Sequence, residues 1–237
     1  MSHYIFVTLH TDTNSPSSGS ILSLAAAAFL LDDEPHSTTH RTPVDSIQIN
    51  MQQRPGRLNR MMDLLDPSPA MRETIFRSPP AVPAVEGMTQ FATFVEKFKV
   101  GIKRPHLIVM DIQDAAFLAE YQSEFYGGRL FMGEPILRST LMWAFQGGSY
   151  TGFRGGLTFC PAVMEGTGGF LDSDACTHKE QVILGGIASM NIIKRVVPCR
   201  QTPEIRGHLD NLKSMARECK IPKMIQVSPV IEQCRKD

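Results

Sequence analysis

Short blocks of hydrophobic residues separated by polar turns dominate the first fifth of the chain, and this pattern predicts β-strands. Residues 3–9 combine aromatic and β-branched side chains, which are typical of strands. The apolar run at 21–31 contains alanines that would also suit a buried helix, but the short polar turn at 11–20 favours a hairpin with the first strand. Residues 46–50 alternate between polar and apolar, and they predict a third, shorter strand.

Further along the chain the apolar spacing becomes helical. Residues 85–100 place apolar side chains three and four positions apart, which predicts an amphipathic helix. A buried strand at 106–110 and a helix at 115–125 follow. Residues 174–195 predict a last helix, which the adjacent glycines at 185–186 should weaken. Three strands, a helix, a strand and further helices predict a mixed α/β sheet flanked by helices.

Two segments interrupt these elements. The prolines of residues 66–85 exclude a long regular element and leave a loop with a short helical piece at 71–76. The glycines of residues 147–169 predict a second loop, and no Gly-Lys-Ser/Thr follows them, so they do not form a P-loop. We divide the chain into an α/β domain at 1–195 and a basic extension at 196–237, packed on or beside it.

The balance of charge differs between the two parts of the chain. The 24 basic and 24 acidic residues cancel overall, yet residues 1–186 hold 14 basic against 19 acidic side chains, and residues 187–237 hold 10 against 5. A basic end on an acidic chain predicts a polyanionic partner, although a solvated helix face explains the same pattern.

Composition narrows the class of protein further. A hydrophobic share of 42% supports a packed core, and because no apolar run reaches about 18 residues we expect no membrane-spanning helix. The five cysteines are odd in number and never spaced C-x-x-C. This usage argues against a disulfide framework or a zinc ribbon, and it predicts a reducing, cytoplasmic compartment.

Three blocks of the sequence resemble the DEDD exonucleases, and within them most closely the phage-type exonuclease A group. In the first, YIFVTLHTDT and ILSLAAAAF stand where the family has a strand ending in D-x-E-T and a second apolar strand. In the second, AVEGMTQFATFVEKFK and HLIVMDIQDAAFLAEYQ correspond to a helix, a strand and an aspartate that opens the next helix. The third, SDACTHKEQVILGGIASM, corresponds to the final helix with its H-x-x-x-x-D motif. The resemblance implies a ribonuclease-H-like α/β fold over roughly residues 3–195.

The family hydrolyses phosphodiesters with two divalent ions, which need several carboxylates, and with a histidine or tyrosine that activates water. Aligned with those motifs, Asp114 matches the second aspartate. The other motif positions hold different residues: Thr8 and His10 at the first pair, Ile136 at the third acidic position, and Asp174 and Lys179 at the final histidine and aspartate. The resemblance therefore implies an exonuclease scaffold whose catalytic carboxylates are largely lost, with no metal and no other cofactor.

Other registers do not restore the motifs. Asp12 could supply the first aspartate, but Asn14 would then replace the glutamate. Glu134 could slide into the third position. His178 could act as the catalytic histidine, but no acidic residue follows it at the required spacing.

Two interpretations of the remaining polar residues stay open. A rearranged site could combine Asp111 and Asp114, three apart, with Asp174 and His178, four apart. In the simpler interpretation Asp114 is only a helix N-cap and His10 is a surface or turn histidine. Asp174 and His178 would then be a local helical pair.

Basic residues supply the candidate contacts to nucleic-acid phosphates. They are Arg54, Arg57 and Arg60, the pair Lys103 and Arg104, and the C-terminal group Arg195, Arg200, Arg206, Lys213, Arg217, Lys220 and Lys223. Four of the C-terminal residues would share one face of a helix at 204–220, where they could contact phosphates without reading bases.

These observations lead to three hypotheses about function. The first is a catalytically inactive exonuclease-like protein of phage origin that binds nucleic acid, preferably structured RNA, or a ribonucleoprotein such as the host ribosome. The second is an active metal-dependent 3′–5′ exonuclease with a rearranged site. The third is a pure protein-interaction component of an assembly, with no nucleic acid contact.

Overall fold

The computed structural model describes residues 2–12, 15–32, 37–54, 79–145 and 177–199. The strands in these ranges are β1 (Ser2–Thr11), β2 (Ile21–Leu31), β3 (Asp45–Asn50), β4 (His106–Val109) and β5 (Met132–Leu137). The helices are α1 (Ala84–Glu96), α2 (Ile112–Phe125), α3 (Arg138–Phe145), α4 (His178–Cys199) and a short 3-10 helix (Thr39–Arg41). No helix within this described part is both long and apolar enough to cross a bilayer.

The strands form one mixed sheet in the order β3–β2–β1–β4–β5. β1 and β2, and β2 and β3, pair antiparallel, whereas β4 runs parallel to β1 and β5 parallel to β4. The register sets His10 opposite Ser23 and Val7 beside Val109. β1, β4 and β5 therefore finish at the same end of the sheet, which we call the carboxyl end, and β2 begins there.

Helices cover both faces of this sheet because consecutive strand residues point to opposite sides. Val7 belongs to a core that also holds Phe91 of α1 and Phe117 of α2. Its neighbour Phe6 belongs to a second core beneath α4, which contributes Val182. The mixed sheet flanked by helices that the sequence predicts is thus observed.

The two glycines in α4 allow that helix to approach the sheet closely. A Cβ atom added at Gly185 would lie 2.8 Å from the ring of Phe6, and one added at Gly186 would lie 2.3 Å from the ring of Phe29. The sequence analysis expected these glycines to weaken the helix, and they lie inside a continuous α4 of 22 residues. Their low helix propensity is offset by the burial that close packing permits.

The sequence analysis missed β5 and the helix α3 that follows it. Gly133, which has a φ of 65°, and Pro135 both lie in β5 and hide the strand pattern. Proline is tolerated there because β5 is at the edge of the described sheet, where one side of the strand has no ladder to complete. The predicted helix at 85–100 ends earlier than expected, at Glu96.

The last helix begins later than the sequence analysis predicted. Thr177 is not helical, and its hydroxyl accepts from the Glu180 main-chain N–H at 3.2 Å, while a Glu180 carboxylate oxygen accepts from the Thr177 N–H at 2.7 Å. This reciprocal capping box fixes the start of α4 at His178. The predicted helical pair of Asp174 and His178 stays a prediction, because residue 174 lies outside the described ranges.

The far end of α4 bears on the proposed division of the chain. α4 continues to Cys199, so the boundary that we placed at residue 195 falls inside this helix. The division itself stays a prediction. Beyond residue 199 the C-terminal extension lies outside the described residues, as do the predicted helical piece at 71–76 and the predicted loop at 147–169.

Candidate functional site

A cluster of polar side chains is buried at the carboxyl end of the sheet, where β1 meets the first residue of α4. The His178 ring is fully buried and bonds two hydroxyl groups. Its Nε2 lies 2.9 Å from Thr8 Oγ1, and its Nδ1 lies 2.8 Å from Ser23 Oγ. Ser23 in turn donates to Asn50 Oδ1 at 2.8 Å, and Asn50 Nδ2 donates to the carbonyl of Pro79 at 2.7 Å. The cluster therefore joins β1, β2, β3 and α4.

The direction of these hydrogen bonds assigns the protons on His178. Because the Ser23 hydroxyl gives its proton to Asn50, its oxygen accepts from Nδ1–H of His178. Nε2 is then the unprotonated nitrogen, and it accepts from the hydroxyl of Thr8. Burial, with a smaller contribution from His10, holds the pKa of His178 well below its ordinary value. His178 is thus a neutral imidazole whose two nitrogens are both occupied.

His10 lies beside this cluster. It belongs to β1, its ring centroid is 4.2 Å from that of His178, and its Nε2 is buried without a hydrogen-bond partner. Burial lowers its pKa to about 4. The expectation of a surface or turn histidine is therefore wrong, because the hairpin and α4 enclose the ring between them.

Two aspartates stand at the start of α2, just beyond the end of β4. Asp111 is the N-cap, and its Oδ1 accepts from the main-chain N–H groups of Gln113 at 2.9 Å and Asp114 at 3.0 Å. Asp114 lies in the first turn, where burial and the neighbouring charge of Asp111 raise its pKa to about 7. The expectation that Asp114 itself is the N-cap is wrong, since Asp111 has that role.

A cation also lies at this end of the sheet. Arg138, the first residue of α3, places its Cζ 6.0 Å from the centre of the Phe6 ring, and its Nη1 lies 3.2 Å from the Met110 sulfur. Burial lowers its pKa to about 10, so it remains charged at neutral pH. No motif or spacing in the sequence identifies Arg138, because its neighbours come from distant parts of the chain.

These residues do not fit a pair of magnesium ions. Hard divalent ions need several anionic oxygens, whereas the positions of the first motif pair hold a hydroxyl and a neutral imidazole. Asp114 is half protonated near neutral pH, and the nearby Arg138 is positive. Among the described residues no group of three or more histidine, cysteine, aspartate or glutamate side chains could hold a metal ion. The expectation that the chain binds no metal stays a prediction, since Asp174 lies outside that part of the chain.

Other residues of the expected motifs are placed away from this cluster. Lys179 is exposed, and its neighbour His178 is the one that contacts Thr8. Glu134 is exposed on β5, while Ile136 packs against the core beneath α4. Asp12 closes the turn after β1 by accepting from the Ser20 N–H at 2.6 Å.

The structure separates the described members of the predicted nucleic-acid-binding set. Arg54 lies towards the carboxyl end, where it pairs with Glu124 at 2.6 Å and covers the Tyr121 ring at 5.0 Å. Lys103 and Arg104 precede β4 at the opposite, amino end. Arg195 also lies there, because the preceding residue, Lys194, bonds Asp32 at the end of β2. The remaining members lie outside the described residues: Arg57, Arg60, Arg200, Arg206, Lys213, Arg217, Lys220 and Lys223.

A polar cleft of about 310 Å³ opens at that amino end, between the 3-10 helix and α4. Its lining comprises Ser37, Thr38, His40, Arg41, Asn191, Lys194 and Arg195. Asp32 pairs with Lys194 at 3.1 Å, so the described lining and this carboxylate carry three positive charges against one negative charge. The cleft therefore groups basic side chains with hydroxyl and amide groups.

Comparisons with known proteins agree with this fold. No family model and no curated protein matches the chain. The nuclease domain of 3′hExo, a DEDDh family member bound to rAMP, superposes with a TM-score of 0.54 at 14% identity, covering 83% of this chain and 92% of that one. The RNase domain of the yeast Pop2 protein gives 0.52 at 12% identity, covering 85% and 80%. Cell-death related nuclease 4 (CRN-4) gives 0.51 at 12% identity, covering 84% and 64%. The chain has the ribonuclease-H-like exonuclease fold that its sequence predicts.

Proposed function

We propose that this protein binds nucleic acid on an exonuclease-type scaffold and does not hydrolyse it. The observation that carries the proposal is the hydrogen-bonded chain from Thr8 through His178 and Ser23 to Asn50. It fills the place, at the end of β1, where the resemblance requires carboxylates around two metal ions. Neutral hydroxyl and imidazole groups that are already bonded to one another cannot offset the charge of two divalent ions.

The proposed ligand is nucleic acid, with structured RNA or a ribonucleoprotein preferred over DNA. The fold is shared with nuclease and RNase domains, and the cations at both ends of the sheet could contact phosphates. Phage origin, cytoplasmic location and the ribosome as the specific partner are part of the same proposal, and they rest on the sequence resemblance and composition.

A nuclease assay coupled to a mobility-shift assay tests the proposal. The purified chain is incubated with 5′-labelled single- and double-stranded RNA and DNA in Mg²⁺ or Mn²⁺, beside an active DEDD exonuclease. We expect the labelled strands to keep their length and to be retarded on a native gel. Trimming from the 3′ end that disappears in Asp114→Asn would contradict the proposal.

Salt dependence is a second measure of binding by phosphate contacts. If the chain neutralises Z phosphates, log K should fall with log salt at a slope of roughly −0.7Z to −0.9Z. The double variant Arg41→Gln with Arg195→Gln should flatten that slope, because both residues line the polar cleft at the amino end of the sheet. A slope that is unchanged by the double variant would place the phosphate contacts elsewhere.

One observation favours the second candidate, a nuclease with a rearranged site. Asp111 and Asp114 lie together at the carboxyl end of the sheet, and the raised pKa of Asp114 is the kind of perturbation found at catalytic groups. The Asp114→Asn arm of the nuclease assay distinguishes this candidate, since only an active site that uses Asp114 would lose activity.

A further inference from the structure

Arg138 is a largely buried cation for which the described residues supply no carboxylate. Its Nε is buried and has no hydrogen-bond partner. Its Nη1 donates to the Met110 sulfur, which is a weak acceptor, and its Cζ lies 6.0 Å from the centre of the Phe6 ring. These contacts offset only part of the cost of removing a guanidinium from water.

Two other described cations that are drawn into the protein have carboxylate partners. Lys194 bonds a carboxylate and a carbonyl of Asp32, and Arg54 pairs with Glu124. Arg138 differs from both because the described residues give it no carboxylate while burial depresses its pKa. A buried cation is stabilised by a nearby anion, and a ligand can supply one.

The position of Arg138 is where ligands of such sheets bind. Arg138 follows the last residue of β5, and Met110 follows the last residue of β4, so both lie beyond the carboxyl ends of parallel strands. Crevices outside these strand ends are the general ligand-binding place of open α/β sheets. Phe6, beneath the guanidinium, is two residues before Thr8 and faces the same side of the sheet.

The geometry around α4 also leaves room for the guanidinium. Arg138 Nη1 would lie only 3.6 Å from a Cβ atom added at Gly185, so a glycine at that position permits the side chain to lie between the helix and the sheet. The residue as a whole is partly exposed, so Arg138 is not sealed from solvent.

We infer that Arg138 binds a phosphate group of the ligand, in the crevice where an active exonuclease of this fold would hold its metal ions. Guanidinium recognises phosphate through paired N–H donors and remains charged when partly desolvated. One fixed cation can hold a phosphodiester without polarising it as two metal ions do. The inference deepens the proposed function and rests on it for the source of the phosphate, a nucleic-acid strand rather than a free phosphate ion.

The test compares three variants of the full chain. Arg138→Met removes the charge and keeps a long apolar side chain, Arg138→Lys keeps the charge without the paired donors, and Arg129→Met removes the same charge beyond the amino end of β5. Binding of fluorescent single-stranded RNA and DNA is measured by anisotropy. Thermal unfolding is recorded with and without inorganic phosphate.

We expect Arg138→Met to weaken oligonucleotide binding at least about tenfold, because a hydrogen bond between charged groups is lost. Its melting temperature should stay equal or rise, since replacing an uncompensated buried charge with an apolar side chain is neutral or stabilising. Arg138→Lys should bind at an intermediate level, and Arg129→Met should bind like the wild type.

The outcomes separate the inference from the proposed function. If the wild type binds oligonucleotide and Arg138→Met binds it equally well, the inference is wrong and the proposed function stands. If no oligonucleotide binds but phosphate raises the melting temperature only when Arg138 is present, the anion site stands and the proposed function fails. If neither probe binds, both are overturned. A large loss of stability in Arg138→Met would show a structural arginine and also overturn the inference.

Discussion

The imidazole ring of His10 packs against that of His178, with centroids 4.2 Å apart and ring planes inclined by 59°. One ring belongs to the first strand and the other to the first turn of the last helix, so the contact joins the two ends of the described domain. Both rings are neutral at pH 7, because burial lowers both pKa values. Protonating either ring would place a charge against the other, and among the described residues neither ring bonds a carboxylate.

We therefore predict that acid destabilises the protein through this pair. The pKa of His10 is about 4 when folded and 6.5 when unfolded, so between these values the unfolded chain binds more protons. The contribution of His10 to the free energy of unfolding should be complete above pH 6.5. It should fall by up to about 3 kcal/mol as the pH drops towards 4. Urea unfolding at several pH values measures this slope, and an equal slope in His10→Phe would contradict the prediction.

The ionisation of Asp114 should change the free energy of unfolding in the opposite direction over nearly the same pH range. Its pKa is about 7 when folded and 3.8 when unfolded, so the folded state binds more protons and the contribution of Asp114 falls as pH rises through this window. We predict that Asp114→Asn is close to neutral at pH 4 and stabilises the protein above pH 7, by roughly 1–3 kcal/mol. Urea unfolding of both proteins at pH 4 and pH 8 measures the difference. A variant that is less stable than the wild type at pH 8 would indicate that the ionised carboxylate has a favourable partner.

Divalent ions should have little effect on unfolding. A ligand that binds only the folded state adds about 2.7 kcal/mol at a concentration one hundred times its dissociation constant. We predict that Mg²⁺ or Mn²⁺ leaves the melting temperature unchanged relative to Na⁺ at matched ionic strength, because the described carboxylates do not surround a common point. A shift of several degrees with Mn²⁺, absent in Asp114→Asn, would instead support the rearranged nuclease site.

The close approach of α4 to the sheet gives a matched pair of glycine substitutions. In Gly186→Ala the new Cβ would lie 2.3 Å from the Phe29 ring, which cannot move aside, and we predict a loss of roughly 1–3 kcal/mol. In Gly87→Ala, within α1, the new Cβ would lie 2.8 Å from Met51 Cε and 2.9 Å from its Cγ; because this side chain has more rotatable bonds than a phenyl ring, the loss should be smaller than in Gly186→Ala. Denaturant midpoints compare the two variants. Equal changes in the two variants would show that the contact with Phe29 does not determine the result, since helix propensity alone favours alanine at both positions.

Much of the fold could be predicted from local patterns. The hairpin of β1 and β2 follows from two apolar runs and a short turn, and β4 follows from its buried run before a helix. β5 could not be found this way, because Gly133 and Pro135 are both poor strand residues and only pairing with β4 stabilises it. Thr177 and Glu180 have the spacing of a capping box, which marks the start of α4 at His178. The longer apolar pattern predicts an earlier start, at residue 174.

Less of the candidate site than of the fold could be predicted from the sequence. The sequence identified Thr8 and His10 as departures from an expected motif, and the fold confirms that both stand at the carboxyl end of β1. It could not predict that Thr8 bonds His178, which lies 170 residues away, or that Ser23 and Asn50 complete the cluster. These contacts arise only when the sheet and α4 pack together, and the same holds for the burial of Arg138.

Helix α4 extends from the carboxyl end of the sheet to its amino end. The guanidinium of Arg138 lies beside Gly185, and Arg195 of the polar cleft is ten residues further along the same helix. At about 1.5 Å per residue, positions 185 and 195 of the helix are about 15 Å apart. A strand of stacked nucleotides, which advance about 3.4 Å each, covers that length with about four nucleotides. This separation suits a strand rather than a mononucleotide.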